Sequence, residues 1–349
     1  MRGRGAPENP PNRFDPYTYE PLPEVPPEDG PGPRTQFFLD RSRSLITRND
    51  SPDVGFTYSI NPYRGCEHGC VYCFARPTHE YLGWSSGLDF ETKILVKADA
   101  PQLLYQELAA PHWCRDVLAL SGVTDCYQPI ERHLRLTRAC LEVLVAFRQP
   151  VVVVTKNHLV CRDKDLLAEL ARYHAACVYL SVTTLDAELA GRLEPRTSRP
   201  GARLAAIAEL AQAGIPVGVL TAPVIPGLND HEIPTLLRAA AEHGATFAGY
   251  ILLRLPFALK ELFDSWLRRH YPEKRDKVLS RLRELRGGKL YDAQWGTRMT
   301  GTGPMAEAIA SLFRLAARRA GLDRPHPPLS ADSFRIPGRM PQKELFSSE

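Results

Sequence analysis

The 349-residue sequence lacks any apolar run long enough to cross a bilayer, which takes about 20 consecutive apolar residues. Its first residues also lack the apolar stretch of a secretory signal peptide. These two absences argue against a membrane protein and against a secreted one. We therefore expect a cytoplasmic protein in a reducing compartment, with no membrane partner.

A strong net charge and a disulfide framework are missing as well. The formal charge is only +4, which permits a nucleic-acid partner without arguing for one. Three of the eight cysteines form a cluster in the sequence, a distribution that suits a reducing compartment better than paired disulfides. The other five are predicted to be buried packing residues: Cys114, Cys126, Cys140, Cys161 and Cys177.

Both ends of the sequence are too rich in proline and polar residues to form a core. Residues 1–34 contain ten prolines, and residues 325–349 return to a proline-rich, polar composition. Such segments bury too little apolar surface to offset the entropy lost on folding. We predict a disordered tail at each end, over 1–34 and 325–349. The alternative is that aromatic and apolar residues of these segments, such as Phe14 and Phe334, dock on the body.

Between residues 56 and 255, short apolar runs alternate with stretches of helical periodicity. The predicted strands are 56–60, 117–120, 151–154, 178–182, 217–220 and 247–253. The predicted helices are 134–147, 165–174, 203–212 and 232–243, and Gly214 and Gly244 stand where two of them should end. This alternation is typical of an α/β protein with a parallel sheet, and six units are too few to close an eight-stranded barrel.

The alternation stops at residue 256, and a helical extension is predicted over 256–324. Its helical stretches are 258–270, 273–286 and 305–320. Basic residues such as Arg281 and Arg283 gather there, and a basic helical face can track a phosphate backbone. The alternative is a solvated face whose charge is balanced by neighbouring acidic residues.

One loop contains the clustered cysteines, Cys66, Cys70 and Cys73, with the spacing C-x3-C-x2-C. Thiolates are soft ligands that favour iron–sulfur clusters, zinc or Cu(I). A closed zinc site would need a fourth ligand, and only His68 and His79 lie near in sequence. The loop therefore predicts a 4Fe-4S cluster with one open iron, with a Cys3His zinc loop or an unligated thiol cluster as the alternatives.

Polar residues follow several of the predicted strands. Thr124 and Asp125 come after the second strand, Lys156 after the third, and Ser181 lies near the end of the fourth. Each one alone has a structural explanation, such as capping a turn. Because the carboxyl ends of parallel strands meet at one edge, their joint position favours a ligand site.

The loop and its surroundings resemble the radical S-adenosylmethionine (SAM) superfamily. The resemblance rests on the cysteine spacing and on Tyr72, an aromatic residue directly before the third cysteine. The segments Asn61-Pro-Tyr-Arg-Gly-Cys66, Tyr72-Cys-Phe-Ala-Arg76, Thr155-Lys156 and Glu194-Pro-Arg196 are similar to the spore photoproduct lyase-like branch, over roughly residues 56–255. The resemblance implies a partial (β/α)6 barrel, which together with the preceding residues forms a core over 35–255.

The resemblance also implies the cofactors and their residues. Cys66, Cys70 and Cys73 would hold the cluster, and Lys156 and Ser181 would contact SAM. Tyr72, Thr124 and Asp125 would lie beside the cofactor. The implied reaction is reductive cleavage of SAM to a 5′-deoxyadenosyl radical that abstracts hydrogen from a substrate, with a flavodoxin or ferredoxin as reductant.

The sequence departs from the lyases at one position. In the lyases a hydrogen-donating cysteine ends the second barrel strand, where this chain has Gly122, with Cys126 a few residues on. This departure argues against photoproduct repair and leaves the exact reaction undetermined. The substrate stays open between a nucleic acid and a peptide or metabolite, and a non-catalytic metal-binding module is the third alternative.

Overall fold

The computed structural model describes residues 3–14 and 34–338. Residues 1–2, 15–33 and 339–349, which belong to the two predicted tails, lie outside the described residues. The strands are β1 (Gln36–Leu39), β2 (Ile46–Arg48), β3 (Tyr58–Ile60), β4 (Tyr63–Arg64), β5 (Lys93–Val96), β6 (Leu118–Leu120), β7 (Val151–Thr155), β8 (Ala176–Ser181), β9 (Val217–Val224) and β10 (Phe247–Leu252).

The main sheet contains seven strands in the order β10-β9-β8-β7-β6-β3-β2. Six of them, β3 and β6 to β10, are parallel and lie side by side in chain order, and β2 pairs antiparallel with β3 at one edge. Each crossover between parallel strands requires a connection that covers a face of the sheet, which the helices supply. The prediction of a parallel α/β protein with a partial six-stranded barrel is confirmed.

The helices are α1 (Leu88–Thr92), α2 (Ala100–Ala109), α3 (Glu131–Leu134), α4 (Leu136–Phe147), α5 (Lys164–Ala171), α6 (Ala187–Leu193), α7 (Pro200–Gln212), α8 (Ile233–Glu242), α9 (Leu259–His270), α10 (Pro272–Glu284) and α11 (Pro304–Ala320). Short 3-10 helices cover Arg76–Leu82, His158–Asp163 and Asp230–Glu232. Gly214 and Gly244 follow α7 and α8 with φ of 75° and 98°, a left-handed backbone that a residue with a Cβ adopts at a cost.

The core lies between the parallel strands and their helices. Every residue of β6 is buried, and in β7 Val151 and Val153 are fully buried. A three-stranded sheet in the order β1-β5-β4 stands beside the main sheet and supports the loop that follows β4. No helix of the described ranges is long and apolar enough to span a membrane.

Parts of the predicted tails depart from disorder. Residues 3–14 lie against the body, where Ala6 is buried and the amides of Gly5 and Ala6 donate to Glu91 at 3.1 and 2.7 Å. At the other end, the Phe334 ring packs 5.9 Å from that of Phe147. The Phe334 contact agrees with the alternative that apolar residues of the tails dock on the body, whereas nothing in the composition indicated the Glu91 contact, because that partner is distant in sequence.

Basic residues of the helical extension form ion pairs with acidic residues. Arg275 binds Asp264 at 2.6 Å, and Arg281 lies 3.5 Å from Asp230. Arg281 also covers Gly227, so it has a structural contact in addition to its charge. These pairs favour the solvated face over a continuous phosphate-binding face.

Of the five scattered cysteines, four are buried as predicted and Cys114 is exposed. The prediction for Cys114 is wrong because it lies in the irregular segment between α2 and β6, outside the helices and strands that build the core.

Candidate functional site

The cysteine loop follows β4 and is shaped by two glycines. Gly65 and Gly69 have φ of 79° and 69°. A Cβ on Gly69 would come within 2.8 Å of a carboxylate oxygen of Glu91. The loop can therefore turn tightly between Cys66 and Cys70 only with glycine at position 69.

A buried ion pair fastens this loop to the body. Arg76, directly after the loop, binds Glu91 through Nη2 at 2.5 Å, and both side chains are fully buried. Arg76 Nε also donates to the carbonyl of Cys70 at 2.9 Å, and Nη1 donates to that of Gly87 at 2.8 Å. Because Glu91 also accepts the amides of residues 5 and 6, the N-terminal segment and the loop share one anchor.

The spacing of the cysteine sulfurs distinguishes between the metal centres left open by the sequence. Tetrahedral zinc with bonds of about 2.3 Å brings its sulfurs to about 3.8 Å from one another. Among the described residues, Cys66, Cys70 and Cys73 do not form a group whose three sulfurs all lie within 4.8 Å of one another. The three sulfurs therefore do not form a preassembled zinc site in the described residues.

The two nearby histidines already have protein partners. His68 Nδ1 lies 3.4 Å from Asp125, and its Nε2 lies 3.1 Å from the Asn157 side-chain nitrogen. His79 Nε2 contacts the carbonyl of Lys93 at 2.9 Å. Both rings are buried. His68 would have to break one of these contacts to join a Cys3His zinc site, whereas His79 Nδ1 is buried without a hydrogen-bond partner among the described residues.

The cysteine thiols lie in surroundings that favour ligation over free thiolates. Burial raises the pKa of Cys66 and Cys70 well above the usual value, with Asp125 adding to it at Cys66 and Glu194 at Cys70. Burial also raises the pKa of Cys73, against the opposing charge of Arg76. The thiols are therefore protonated when no metal is bound, and binding of a cluster would release their protons.

Asp125 joins the ends of two barrel strands. It follows β6 and accepts hydrogen bonds from Thr155 Oγ1 and from the Lys156 amide, both at 2.8 Å. Burial raises the pKa of Asp125. The contact with His68 and the hydrogen bonds from backbone amides lower the pKa by more than burial raises it, and they hold it at about 2. Thr124 donates to the Tyr63 carbonyl at 2.8 Å. Both side chains position the strand ends and the loop, and their direct contact with the cofactor stays a prediction.

The side-chain polar groups of Lys156 and Ser181 have no hydrogen-bond or ion-pair partner in the described parts of the protein. Within these parts, the Lys156 ammonium has no carboxylate within ion-pair distance, and it lies 5.9 Å from the centre of the Tyr72 ring. Burial lowers its pKa, and Cys70 is the largest influence that opposes this. The Ser181 hydroxyl is nearly buried at the end of β8 and has no hydrogen bond there. Both suit an anionic or polar ligand beside the cysteine loop.

Tyr72 belongs to a buried network that sequence reasoning resolved only in part. Its hydroxyl donates to Glu194, which also accepts Thr183 Oγ1 at 2.5 Å and pairs with Arg203. Arg203 Nη1 in turn donates to the Ser181 carbonyl at 2.9 Å. Burial raises the pKa of Glu194, while Arg203 opposes the change. Glu194 was noted only as part of a family segment, and nothing in the sequence singled out Arg203.

The three-cysteine loop lies beside the polar strand ends of a partial parallel barrel. This combination is typical of an iron–sulfur α/β protein. The model of the radical SAM superfamily matches residues 60–240, which include the loop and the whole of the parallel strands β6 to β9. The chain therefore belongs to the radical SAM superfamily, whose members use a 4Fe-4S cluster and SAM.

Comparison with other proteins agrees with this assignment. An uncharacterised protein of Mycobacterium bovis is 38% identical over 276 residues, which is 78% of each chain. An uncharacterised protein of Methanocaldococcus jannaschii is 29% identical over 228 residues, 64% of this chain and 80% of its own. Neither name assigns an activity.

Among solved structures, spore photoproduct lyase complexed with dinucleoside spore photoproduct is similar, with a TM-score of 0.60 and 18% identity over 82% of this chain and 79% of that chain. A mutant of the lyase with bound AdoMet and the same dinucleoside has a TM-score of 0.57 and 19% identity, with the same coverage. At this identity the likeness shows a shared fold.

The cofactor contacts predicted for Lys156 and Ser181 can be tested separately from cluster binding. We expect Lys156→Ala to weaken SAM binding about 10- to 100-fold, since hydrogen bonds to charged groups contribute about 1.5–3 kcal/mol. Ser181→Ala should weaken it about 2- to 10-fold, as for a neutral hydrogen bond of about 0.5–1.5 kcal/mol. Calorimetric titration of cluster-loaded protein with SAM measures both.

Lys289→Ala is the matched control, because Lys289 is exposed and lies outside the barrel. All three variants should keep the iron content of the unmodified protein. An unchanged SAM affinity in Lys156→Ala would remove that residue from the cofactor site.

Proposed function

We propose that the protein is a radical SAM enzyme that cleaves SAM reductively and uses the product to abstract hydrogen from a substrate at the barrel mouth. The observation that carries this proposal is the half-buried Lys156 beside the three-cysteine loop, with no carboxylate of the described residues within ion-pair distance of Lys156. Together they offer soft ligands for a cluster and a cation for the SAM carboxylate.

When bound, the cluster and SAM supply a 5′-deoxyadenosyl radical after one-electron reduction, and this radical abstracts hydrogen from a C–H bond. Cys66, Cys70 and Cys73 hold the cluster in this proposal, and Lys156 and Ser181 orient SAM. Asp125 and Glu194 position the loop and the strand ends. The electron comes from a reductant protein such as a flavodoxin or ferredoxin.

The interior of the barrel supports a reaction other than photoproduct repair. A Cβ on Gly122 would come within 2.8 Å of the Ser59 Cβ, so position 122 has no room for a cysteine side chain without a shift. Cys126 is fully buried in the hydrophobic core, with its amide bound to Ser121 at 2.7 Å. Neither position provides a thiol at the mouth of the barrel.

Aromatic and cationic side chains at the mouth favour a nucleic-acid or nucleotide substrate. Phe74 of the cysteine loop is about half exposed, and the Arg254 guanidinium after β10 lies 5.4 Å from its ring centre. Phe257 is also half exposed, and Arg13 lies over it at 3.6 Å. Bases stack on such surfaces, and a fold neighbour has been solved with a dinucleoside. A peptide or metabolite is the second candidate.

Binding to single-stranded oligonucleotides tests this substrate class. We expect measurable affinity at low salt, a steep loss as salt rises, and a further loss of about 1–3 kcal/mol in Phe74→Ala. Arg254→Ala should weaken binding and reduce its salt dependence. Fluorescence anisotropy at several salt concentrations measures each effect.

Arg172→Ala is the control, because Arg172 is exposed directly after α5 and pairs with Glu169. Absence of any affinity at low salt would remove the nucleic-acid proposal and leave a peptide or metabolite. Transfer of deuterium from a labelled candidate substrate into 5′-deoxyadenosine then identifies the substrate itself.

A further inference from the structure

Three metal-ligating side chains meet away from the cysteine loop. His158 and Cys161 lie on the 3-10 helix after β7, and Glu209 lies on α7. One ligand atom from each falls within 4.8 Å of the other two, and His158 Nε2 lies 2.9 Å from Glu209 Oε1. We propose that these three residues bind a zinc-type divalent cation, separate from the iron–sulfur cluster.

The donor set suits this class of ion. Zinc binds thiolate, imidazole and carboxylate ligands, and three protein ligands with a water in the fourth position is a common arrangement. A thiolate and a carboxylate together neutralise a divalent charge. The His158 and Glu209 side chains are 39% and 38% exposed, which leaves an entry path and room for water, while Cys161 lies on the buried side.

The backbone around the ligands is held in place by the protein. Asn157 caps the 3-10 helix through its side chain, which accepts the Leu159 amide at 3.0 Å. The His158 amide donates to Ser198 Oγ at 2.9 Å, and Cys161 Sγ lies 3.8 Å from the Ala206 carbonyl of α7. The two elements are therefore packed together before any ion binds, which reduces the ordering that binding requires.

Lys164 competes with the ion in the present arrangement. Its Nζ lies 3.6 Å from the second oxygen of Glu209, and its side chain is half exposed. The lysine can therefore swing into solvent when an ion binds. Its removal should strengthen metal binding, which is the opposite of the effect of removing a ligand.

A bound ion would connect the segment after β7 to α7. His158 is two residues from Lys156, which the proposed function assigns to SAM, and Ser198 also donates to Asn157 at 3.1 Å. We assign the ion a structural role, in which it stiffens the turn that positions Lys156. The site stands on its own three ligands and does not depend on the SAM assignment.

Zinc binding to the full chain tests the site in two backgrounds. The first is cluster-loaded protein, and the second is the triple variant Cys66→Ala/Cys70→Ala/Cys73→Ala, in which the loop has no thiols. In each, zinc content after dialysis and the affinity from competition with a chromophoric chelator are measured. Co²⁺ in the triple variant adds a spectroscopic signature of thiolate ligation.

We expect one equivalent of zinc in both backgrounds. His158→Ala, Cys161→Ser and Glu209→Gln should each weaken zinc affinity at least about tenfold. Mutation of residues that only hydrogen-bond to metal ligands already weakens metal affinity about 10- to 100-fold. Lys164→Ala should strengthen it, and Cys177→Ala, which changes a buried cysteine of β8, should leave it unchanged. No retained zinc, or a loss confined to Cys161→Ser, would overturn the proposal.

Discussion

Loss of iron is the expected result when any one of Cys66, Cys70 or Cys73 is replaced by alanine. Anaerobically reconstituted protein should contain four irons and four sulfides per chain, because the chain belongs to a superfamily that uses a 4Fe-4S cluster and its loop offers three thiolates. With two thiolates left, the cluster has two unprotected irons, and we expect iron content to fall to background.

Cys140→Ala is the matched control for this experiment. Cys140 is fully buried on α4, within the hydrophobic core and away from the loop. Its replacement should cost roughly 1 kcal/mol of stability through lost packing and leave the iron content unchanged. A full cluster in any of the three loop variants would mean that the sulfur in question is not a ligand.

Glu91→Ala should strongly destabilise the protein, by about 3–5 kcal/mol, because it leaves the buried Arg76 guanidinium without its carboxylate. The same change removes the acceptor for the amides of residues 5 and 6. A loss of this size is a large part of the 5–15 kcal/mol that typically separates folded from unfolded protein. Urea unfolding followed by fluorescence measures it as a lower midpoint.

Glu284→Ala is the control for charge removal alone, since Glu284 is exposed at the end of α10. Its effect should stay within about 0.5 kcal/mol. The loop should also lose cluster more readily in Glu91→Ala than in the control. A stability loss under about 1 kcal/mol in Glu91→Ala would contradict the role given to the buried pair.

The sequence predicted what is encoded over short distances. The strand at 151–155 contains the continuous apolar run 151–154, and the helices before Gly214 and Gly244 end where a left-handed residue is available. Likewise, the spacing of the cysteines indicates a shared metal centre, and this inference needs no tertiary contact. These features yielded the parallel barrel and placed the loop before its first crossover.

The missed features depend on partners far apart in the chain. Glu91 pairs with Arg76 and accepts hydrogen bonds from the amides of residues 5 and 6, which are 86 and 85 positions away. Composition described those N-terminal residues as a tail because it takes no account of a distant carboxylate. The roles predicted for Thr124 and Asp125 beside the cofactor stay predictions, and their contacts with Tyr63 and Thr155 could not be read from the sequence.

Formation of 5′-deoxyadenosine from SAM tests the central claim most directly. Cluster-loaded protein is incubated anaerobically with SAM and a strong reductant, and the product is quantified by mass spectrometry beside the Cys73→Ala variant. We expect slow formation of 5′-deoxyadenosine and methionine even without the true substrate, and none in the variant. We also expect the EPR spectrum of the reduced cluster to change when SAM is added. Absence of 5′-deoxyadenosine from protein with a full cluster, together with an EPR spectrum that SAM leaves unchanged, would contradict it.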